Sequence, residues 1–521
     1  MEEKIRFGNY LTERRKIMGL SQVQLGALLG VSDKAVSKWE NARAMPDSRI
    51  LVRLGELLGV TTDDLLTARQ REETVSLPGV TVREKEARAN CRKRMEDLFG
   101  PEPPLEAVSR FLAEDQLLRF DTGFSGLPDR LFLLGKTAGL FKRLKEKGQY
   151  ASLFAPTGAD WLAYLLSASD VDPLPPHMLC PSCHHVDFVR SFDGNRVHCG
   201  WDLPETVCPK CGKPMLRDGH DLSVGAGSAM YRALADIRVM LPRNMRCEAA
   251  ECLKETLADC LWAEFDQTKE SVEPTVRIVI LPEEARFLLP PGWESRRPED
   301  RLLYTEKDFV RFSAYPLIYL ANNDGMERLQ RLRDSTGIPA ERVPFSAEEV
   351  LEALLEGGPE TDALKFFSLP LVRQEMKKAK PQTWADLISF AGLMHGTGTW
   401  FENGEERAVA GEPISSLVSF REDVYETVRE KLMKGGITDD GLARDVMENA
   451  RRGRYAKSGM DNGTKRLLLE LGLDEAFIRS ISRTKYLFPK ICAIRQIRWE
   501  ATLMWYRLHT PEAFEKTMRY N

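Results

Sequence analysis

What this sequence lacks narrows it before any motif is read. None of its 521 residues lie in a stretch approaching the roughly 18 consecutive apolar residues that cross a bilayer, and the opening Met1-Glu-Glu-Lys-Ile-Arg-Phe7 has no apolar leader core. A cytoplasmic location and no membrane partner are expected. Cysteine is too sparse for a disulfide framework, with ten in the chain. Strong charge of either sign is missing too: 74 Lys and Arg against 78 Asp and Glu leave a net charge of −4, which by itself names no partner. The imbalance is local, because residues 451–521 carry 15 basic against 7 acidic side chains. At this length two to four domains are expected.

Four of the cysteines stand in metal spacing. Cys180-Pro-Ser-Cys183 and Cys208-Pro-Lys-Cys211 are two CxxC knuckles, each presenting two thiolates, and together they supply the four soft ligands of a closed, structural zinc site. The competing reading is four reduced thiols without metal. His184, His185, His198 and Cys199 lie between the knuckles and rank below the four cysteines, which already complete a tetrahedral shell. Cys91, Cys247, Cys252, Cys260 and Cys492 read as packed thiols.

Residues 1–70 are punctuated as five short helices. The first runs from about Ile5 to Met18 and stops at Gly19; Ser21 caps a second that ends at Gly30; Ser32 caps a third, Asp33 to about Asn41. A fourth begins at Asp47 and stops at Gly59, and Thr61 or Thr62 caps the fifth. Leu25, Leu28, Val31, Val36 and Trp39 are the expected core. The segment from Leu20 to Asp47 resembles the DNA-binding domain of the lambda-repressor and Cro type, the XRE family. That resemblance implies a helix-turn-helix on double-stranded DNA. Ser32, Asp33, Lys34, Ser37, Lys38 and Asn41 would face the groove and backbone, and Gln22 would hold a phosphate at a helix N-terminus. Paired half-sites in that family imply a homodimer. Asp33 is unfavourable near phosphate unless it accepts from cytosine, and the segment's own charge is small, 11 basic against 9 acidic side chains. A bundle used only for dimerisation is the competing reading.

Around the cysteines, Asp172-Pro-Leu-Pro-Pro-His177, Trp201-Asp-Leu-Pro204 and Arg217-Asp-Gly-His-Asp221 resemble the zinc segment in the palm of PolC-type DNA polymerase III, and the likeness runs from about Cys91 to Tyr520. It implies a palm-like region over 88–337, with a zinc ribbon at 178–215, and a helical fingers-like region over 338–521. A connector at 71–87 joins the palm-like region to the N-terminal domain. The expected class is α+β, mostly α.

Nucleotidyl transfer in that family uses two Mg²⁺ ions, and three of its parts can be sought here. The triphosphate loop corresponds to Ser152-Leu-Phe-Ala-Pro-Thr-Gly158, where the arginine has become Phe154. The paired metal-binding aspartates correspond to Asp236 and Arg238. The third aspartate corresponds to Leu320. One carboxylate beside an arginine and a leucine does not hold Mg²⁺, so no catalytic residue and no Mg²⁺ are expected, unless Asp324, Asp308 or another carboxylate has taken over.

In the C-terminal half, Ala391-Gly-Leu-Met-His-Gly-Thr-Gly-Thr-Trp400 and Lys485-Tyr-Leu-Phe-Pro-Lys490 resemble the fingers. Arg451, Arg452, Arg454, Lys485, Lys490, Arg495 and Arg498, interleaved with Tyr486, Phe488, Trp499 and Trp505, form a candidate second nucleic-acid surface; a solvated helix face is the alternative. The expected function is a DNA-binding regulator or replication-associated module with an inactive polymerase core, whose partners are duplex DNA and, through the core, replication proteins or primed or single-stranded DNA. An active polymerase with relocated metal ligands and a protein-interaction scaffold are the rival readings.

Overall fold

The caps read from the first 70 residues organise the N-terminal bundle of the computed structural model. Helices α1 (Glu2–Ile17), α2 (Gln22–Leu29), α3 (Asp33–Glu40), α4 (Ser48–Leu58) and α5 (Thr62–Thr67) follow one another closely. Ser21 and Gln24 form a reciprocal capping box: Ser21 Oγ accepts from Gln24 N at 3.1 Å, and Gln24 Oε1 accepts from Ser21 N at 2.8 Å. Gly30 ends α2 in the left-handed conformation at φ 71°, and Ser32 Oγ accepts from Ala35 N to start α3. Gly26 permits this tight turn, since a Cβ there would lie 2.9 Å from the Val31 carbonyl oxygen.

Phe7, Tyr10, Leu11, Leu25, Leu29, Val36, Trp39, Leu54, Leu58 and Leu65 are buried. Leu29 takes the inward position expected of Leu28, which is half-buried like Val31, because a turn of 3.6 residues from Leu25 and Gly26 brings position 29 back to the core.

Structure is described for all residues except 1, 18–19, 59, 61, 68–79, 121–129, 155–158, 225–235, 243–244, 258–260, 267–274, 282–316 and 519–521. The proposed stops and caps at Gly19, Gly59 and Thr61, the loop residues Ala155 to Gly158, Cys260 and Asp308 fall outside the described set. Helices α6 (Val80–Phe99), α7 (Leu105–Phe120) and α8 (Arg130–Glu146) come next. The connector expected to reach residue 87 therefore gives way to helix at Val80. Pro78-Gly79 ends the irregular stretch, and the charged run from Arg83 onward is strongly helix-forming despite the β-branched start.

By packing density the chain divides into two compact units, Met1–Phe132 and Leu133–Asn521. This puts α6 and α7 with the N-terminal bundle. It also puts the regions before and after residue 337 in a single unit.

Among the described residues of the second unit, ten strands follow: β1 (Ser152–Phe154), β2 (His177–Leu179), β3 (Val186–Phe188), β4 (Ser191–Phe192), β5 (Asn195–Arg196), β6 (Leu216–Asp218), β7 (Asp236–Leu241), β8 (Leu261–Asp266), β9 (Thr275–Leu281) and β10 (Leu317–Asn322). The main sheet has the order β1-β7-β10-β9-β8, with β7 and β10 parallel and the other neighbours antiparallel. A small sheet, β3-β2-β6, carries the cysteine segment, and β4 and β5 form a hairpin turned by Asp193 and Gly194, both at positive φ.

From residue 324 onward the described chain is helical. One hydrophobic core joins Ala159, Val171, Cys199 and Trp201 from the sheet region to Leu387, Phe390, Ile494 and Tyr506 from the helices. Asp202 reinforces that join: its two carboxylate oxygens accept from Trp384 N at 2.7 Å and Ala385 N at 2.9 Å, satisfying the amides at the start of the helix Trp384–His395.

Candidate DNA-binding and metal sites

On α3, Ser32, Asp33, Lys34, Lys38 and Asn41 are exposed and Ser37 is half-buried, so the expected groove-facing residues share the outer side of one short helix while Val36 and Trp39 anchor its inner side. Asn41 Nδ2 donates to Ser37 O at 2.8 Å. Gln22 is placed differently from its expected role. Its Nε2 donates to Glu40 Oε2 at 2.7 Å, inside an ion pair that ties α1 to the end of α3. Arg15, 9 % exposed, donates through Nε to Glu40 Oε1 at 2.5 Å and through a second nitrogen to Glu40 Oε2 at 2.9 Å.

Burial works to raise the Glu40 pKa, but the bonds from Arg15 and Gln22 outweigh it and hold the carboxyl below its usual range. Arg53 donates to the Leu28 and Leu29 carbonyls at the end of α2. None of these pairings has a local signal in the sequence, since the partners are 18 to 25 residues apart. Ala42 closes α3 at φ 58°, and the exposed Arg43 follows it at the rim of the presented face.

The four cysteines converge. Sγ atoms of Cys180, Cys183, Cys208 and Cys211 all lie within 4.8 Å of one another, with Cys180 to Cys211 at 3.4 Å and Cys183 to Cys208 at 3.5 Å. A tetrahedral zinc with bonds of about 2.3 Å sets its sulfur atoms about 3.8 Å apart, so the donor set fits that ion.

The two knuckles repeat one another in their backbone. Cys180 N donates to His185 O and His184 N to Cys180 O; Cys208 N donates to Lys213 O and Gly212 N to Cys208 O. The residue four beyond each first cysteine is left-handed in both, His184 at φ 62° and Gly212 at φ 70°. Although burial would raise the Cys180 thiol, backbone N–H groups of Cys183 and Ser182 aimed at its sulfur bring it down to about 6. Neither His184, His185, His198 nor Cys199 joins the cluster. His185 pairs with Asp187, Cys199 Sγ lies 3.5 Å from His220 Nδ1, and burial, then Lys490 and Arg196, push His198 down to about 4.

The main sheet gives the polymerase-like positions a register. Arg238 of β7 is opposite Phe154 on β1 and Tyr319 on β10, and Asp236 is opposite Leu317. Leu320 is opposite Val239 and fully buried with it, on the other face of the sheet. The position on β10 that shares a face with Asp236 and Arg238 is therefore Tyr319, one residue before the expected Leu320. A slip of one residue along a strand reverses every side chain. Across the five strands, residues of matching parity on that face include a single carboxylate, Asp236. Asp324 begins a helix beyond the far end of β10, whereas Asp236 is level with the near end, a separation along the strand of roughly 16 Å or more at about 3.3 Å per residue.

The basic C-terminal residues do not form the single surface expected of them. Arg495 is 3 % exposed and reaches Asp170 at 3.3 Å and Ser169 Oγ at 3.1 Å. Arg498 donates to the Asp170 carbonyl at 2.7 Å and lies over the Phe345 ring at 4.6 Å. Lys490 Nζ donates to His220 O at 2.9 Å. These three cations bind the helix Lys490–His509 to the sheet region. Burial opposes charge on Asp170, but Arg498 and Arg495 outweigh it and lower its pKa. Arg451 and Arg452 share Glu448 at 2.7 and 2.6 Å, and Arg454 bonds Asn449. Lys485 and Tyr486 are exposed, and Phe488 stacks on His395, which also touches Gln496.

Comparison with known proteins finds similarity in two parts of the chain. Residues 11–65 match a helix-turn-helix family model. The larger part is similar to proteins named DNA polymerase III PolC-type: 24 % identical over 479 residues to that of Thermotoga maritima, covering 81 % of this chain and 34 % of the relative. Against Lacticaseibacillus paracasei the identity is 24 % over 510 residues, 86 % of this chain and 34 % of the relative. Against Streptococcus pyogenes serotype M3 it is 24 % over 430 residues, 71 % and 29 %. The chain thus spans about a third of the length of the curated relatives it matches.

Proposed function

We propose that this protein binds duplex DNA through its helix-turn-helix and carries a polymerase III-related core that no longer transfers nucleotides, acting as a transcriptional regulator or a replication-associated module. The observation that carries the loss of activity is the sheet face of β7 and β10. Two-metal phosphoryl transfer needs several carboxylates to offset two divalent ions. Here Asp236 stands alone with Arg238 two residues on and Tyr319 on the adjacent strand. A guanidinium at that position repels Mg²⁺, so Mg²⁺ is not a cofactor in this reading.

Zinc is the cofactor, held by the four cysteines, and its role is to fix the β3-β2-β6 ribbon. The palm-like segment to residue 337 and the fingers-like segment to 521 serve as a scaffold toward replication proteins or primed DNA. The α3 face reads the operator as one half-site, and a homodimer in the cytoplasm supplies the second.

Two measurements test this. Full-length protein offered a primed template, all four deoxynucleoside triphosphates and Mg²⁺ or Mn²⁺ gives no extension; extension abolished by Asp236→Ala overturns the inactive reading. Selection from random duplexes yields a preferred site whose binding weakens with Lys38→Ala, with a salt slope smaller by about 1. Failure to enrich any site leaves the bundle as a dimerisation element and removes the regulator reading.

A further inference from the structure

A side-chain amide that reads a base edge must have its nitrogen free, and the helix-turn-helix has already used the nitrogens of its amides. From Ser21 to Asn41 the sequence holds three such side chains, Gln22, Gln24 and Asn41. Gln22 Nε2 donates to Glu40 Oε2 at 2.7 Å. Gln24 is engaged at both atoms, accepting from Ser21 N at 2.8 Å and donating to Pro103 O at 3.0 Å. Asn41 Nδ2 donates to Ser37 O at 2.8 Å and reaches Ser37 Oγ at 3.4 Å. Adenine is read by an amide bonded at once to its N6 and N7, so α2 and α3 hold out no ready reader of adenine.

What remains on the outer side of α3 is charged. Asp33 and Lys34 are exposed at its first two positions, and neither enters a hydrogen bond or ion pair among the described residues. The N-terminal residues of the second helix of such a pair are those that reach base edges. Lys38 follows one turn later, about 6 Å along the axis, and without a carboxylate beside it suits a phosphate as well as a base.

The chemistry of the two leading residues selects among base pairs. A carboxylate is repelled by phosphates and can only accept, so Asp33 is held in the groove by a donor on a base. Cytosine N4 is such a donor, whereas adenine N6 has the acceptor N7 at its side, which repels a carboxylate. An ammonium can only donate, and guanine offers it two adjacent acceptors, O6 and N7, where adenine and thymine each offer one. Side by side, Lys34 and Asp33 match the acceptor, acceptor, donor order that a G·C pair displays across the major groove. An A·T pair displays acceptor, donor, acceptor.

We propose that the operator half-site carries a G·C pair at the start of α3, read by Lys34 on the guanine and Asp33 on the cytosine. This rests on the reading that α3 faces duplex DNA, and it adds the base pair that α3 selects. The test is selection from random duplexes by the full chain and by its Asp33→Ala, Asp33→Asn and Lys34→Ala variants, all at exposed positions. The parent should enrich a site with an invariant G·C pair, and replacing that pair by A·T, which needs no variant to fold, should weaken binding about tenfold. Asp33→Ala should lose the preference at that pair alone, and Asp33→Asn should reselect adenine there, since its amide is free to read N6 and N7. Lys34→Ala should relax the choice of guanine. A parent site made of A·T pairs only, or a G·C preference that all three variants retain, overturns the proposal and leaves duplex recognition standing. Enrichment of no site by the parent overturns the proposal together with the duplex reading beneath it.

Discussion

Two adjacent substitutions on β10 discriminate between the sheet register and its slip by one residue. Leu320 is fully buried opposite Val239, whereas Tyr319 is half-buried opposite Arg238. Leu320→Asp removes a buried leucine, worth about 2 kcal/mol of transfer free energy. It also leaves a carboxyl in an apolar layer without a partner, at about 3 kcal/mol even once the group is driven to its neutral form. A loss of about 5 kcal/mol at ~2 °C per kcal/mol for a unit of this size lowers the melting temperature by roughly 10 °C. Tyr319→Asp gives up the ring beneath Arg238 but sets a carboxylate beside its guanidinium, and the balance stays within about 1 kcal/mol. Combined with Arg238→Asp it places carboxylates at positions 236, 238 and 319 on one face of neighbouring strands, and that variant should gain Tb³⁺ binding that the parent lacks. Circular-dichroism melts and terbium luminescence read the two effects. If Leu320→Asp melts with the parent while Tyr319→Asp unfolds the second unit, the register is wrong and the account of the lost metal face goes with it.

Other expectations follow from single contacts. Glu40→Ala strands the buried Arg15 charge and should cost about 3 kcal/mol, seen as loss of cooperative melting of the N-terminal bundle and of duplex binding; unchanged melting would show that the pair is dispensable. Ala42→Gly relieves a left-handed alanine and should stabilise that bundle by about 1 kcal/mol, with denaturant midpoint as the readout. Metal analysis should return one zinc per chain, and Cys208→Ser should lower both zinc content and the melting temperature of the second unit; a metal-free parent of equal stability would remove the cofactor. Burial raises Glu500 to about 7 and Asp202 and Asp423 to about 6, against backbone N–H groups that favour their ionised forms. A carboxyl with a folded pKa above its unfolded value binds more protons when folded, so stability should fall as pH rises from about 4 to about 7 and then level off. Glu500→Gln should flatten that slope; a steeper slope would put the sign elsewhere.

The parts legible in the sequence are those whose cause is local. Ser21, Gly30 and Ser32 act within four residues of themselves, and the helices they punctuate lie where those residues put them. Each CxxC knuckle is likewise closed by bonds within five residues, so spacing alone brings two thiols together. The choice between Leu320 and Tyr319 was out of reach because register belongs to a pair of strands, and β7 and β10 are about 80 residues apart in the chain. The role of Arg495 was hidden for a related reason. In the sequence it is one of a run of basic residues, and only the fold supplies Asp170 and Ser169, more than 320 residues away, to bury it. The helix from Val80 was missed through its β-branched opening residues, whose propensity the longer charged run overrides.

The positions of the cations connect these observations. Arg495, Arg498 and Lys490 are directed inward, to Asp170 and the His220 carbonyl, and their charge holds the helix Lys490–His509 against the sheet region. Asp202 does the same from the cysteine segment, closing the start of the helix Trp384–His395. These contacts involve no nucleotide and no Mg²⁺, and they join the helices to the sheet region by themselves. Arg238 is the contrary case: it is exposed, Asp236 is the only carboxylate on its face of the strands, and Tyr319 lies beneath it. Arg495 is buried against its acid, whereas Arg238 holds its charge over a tyrosine ring at the solvent side.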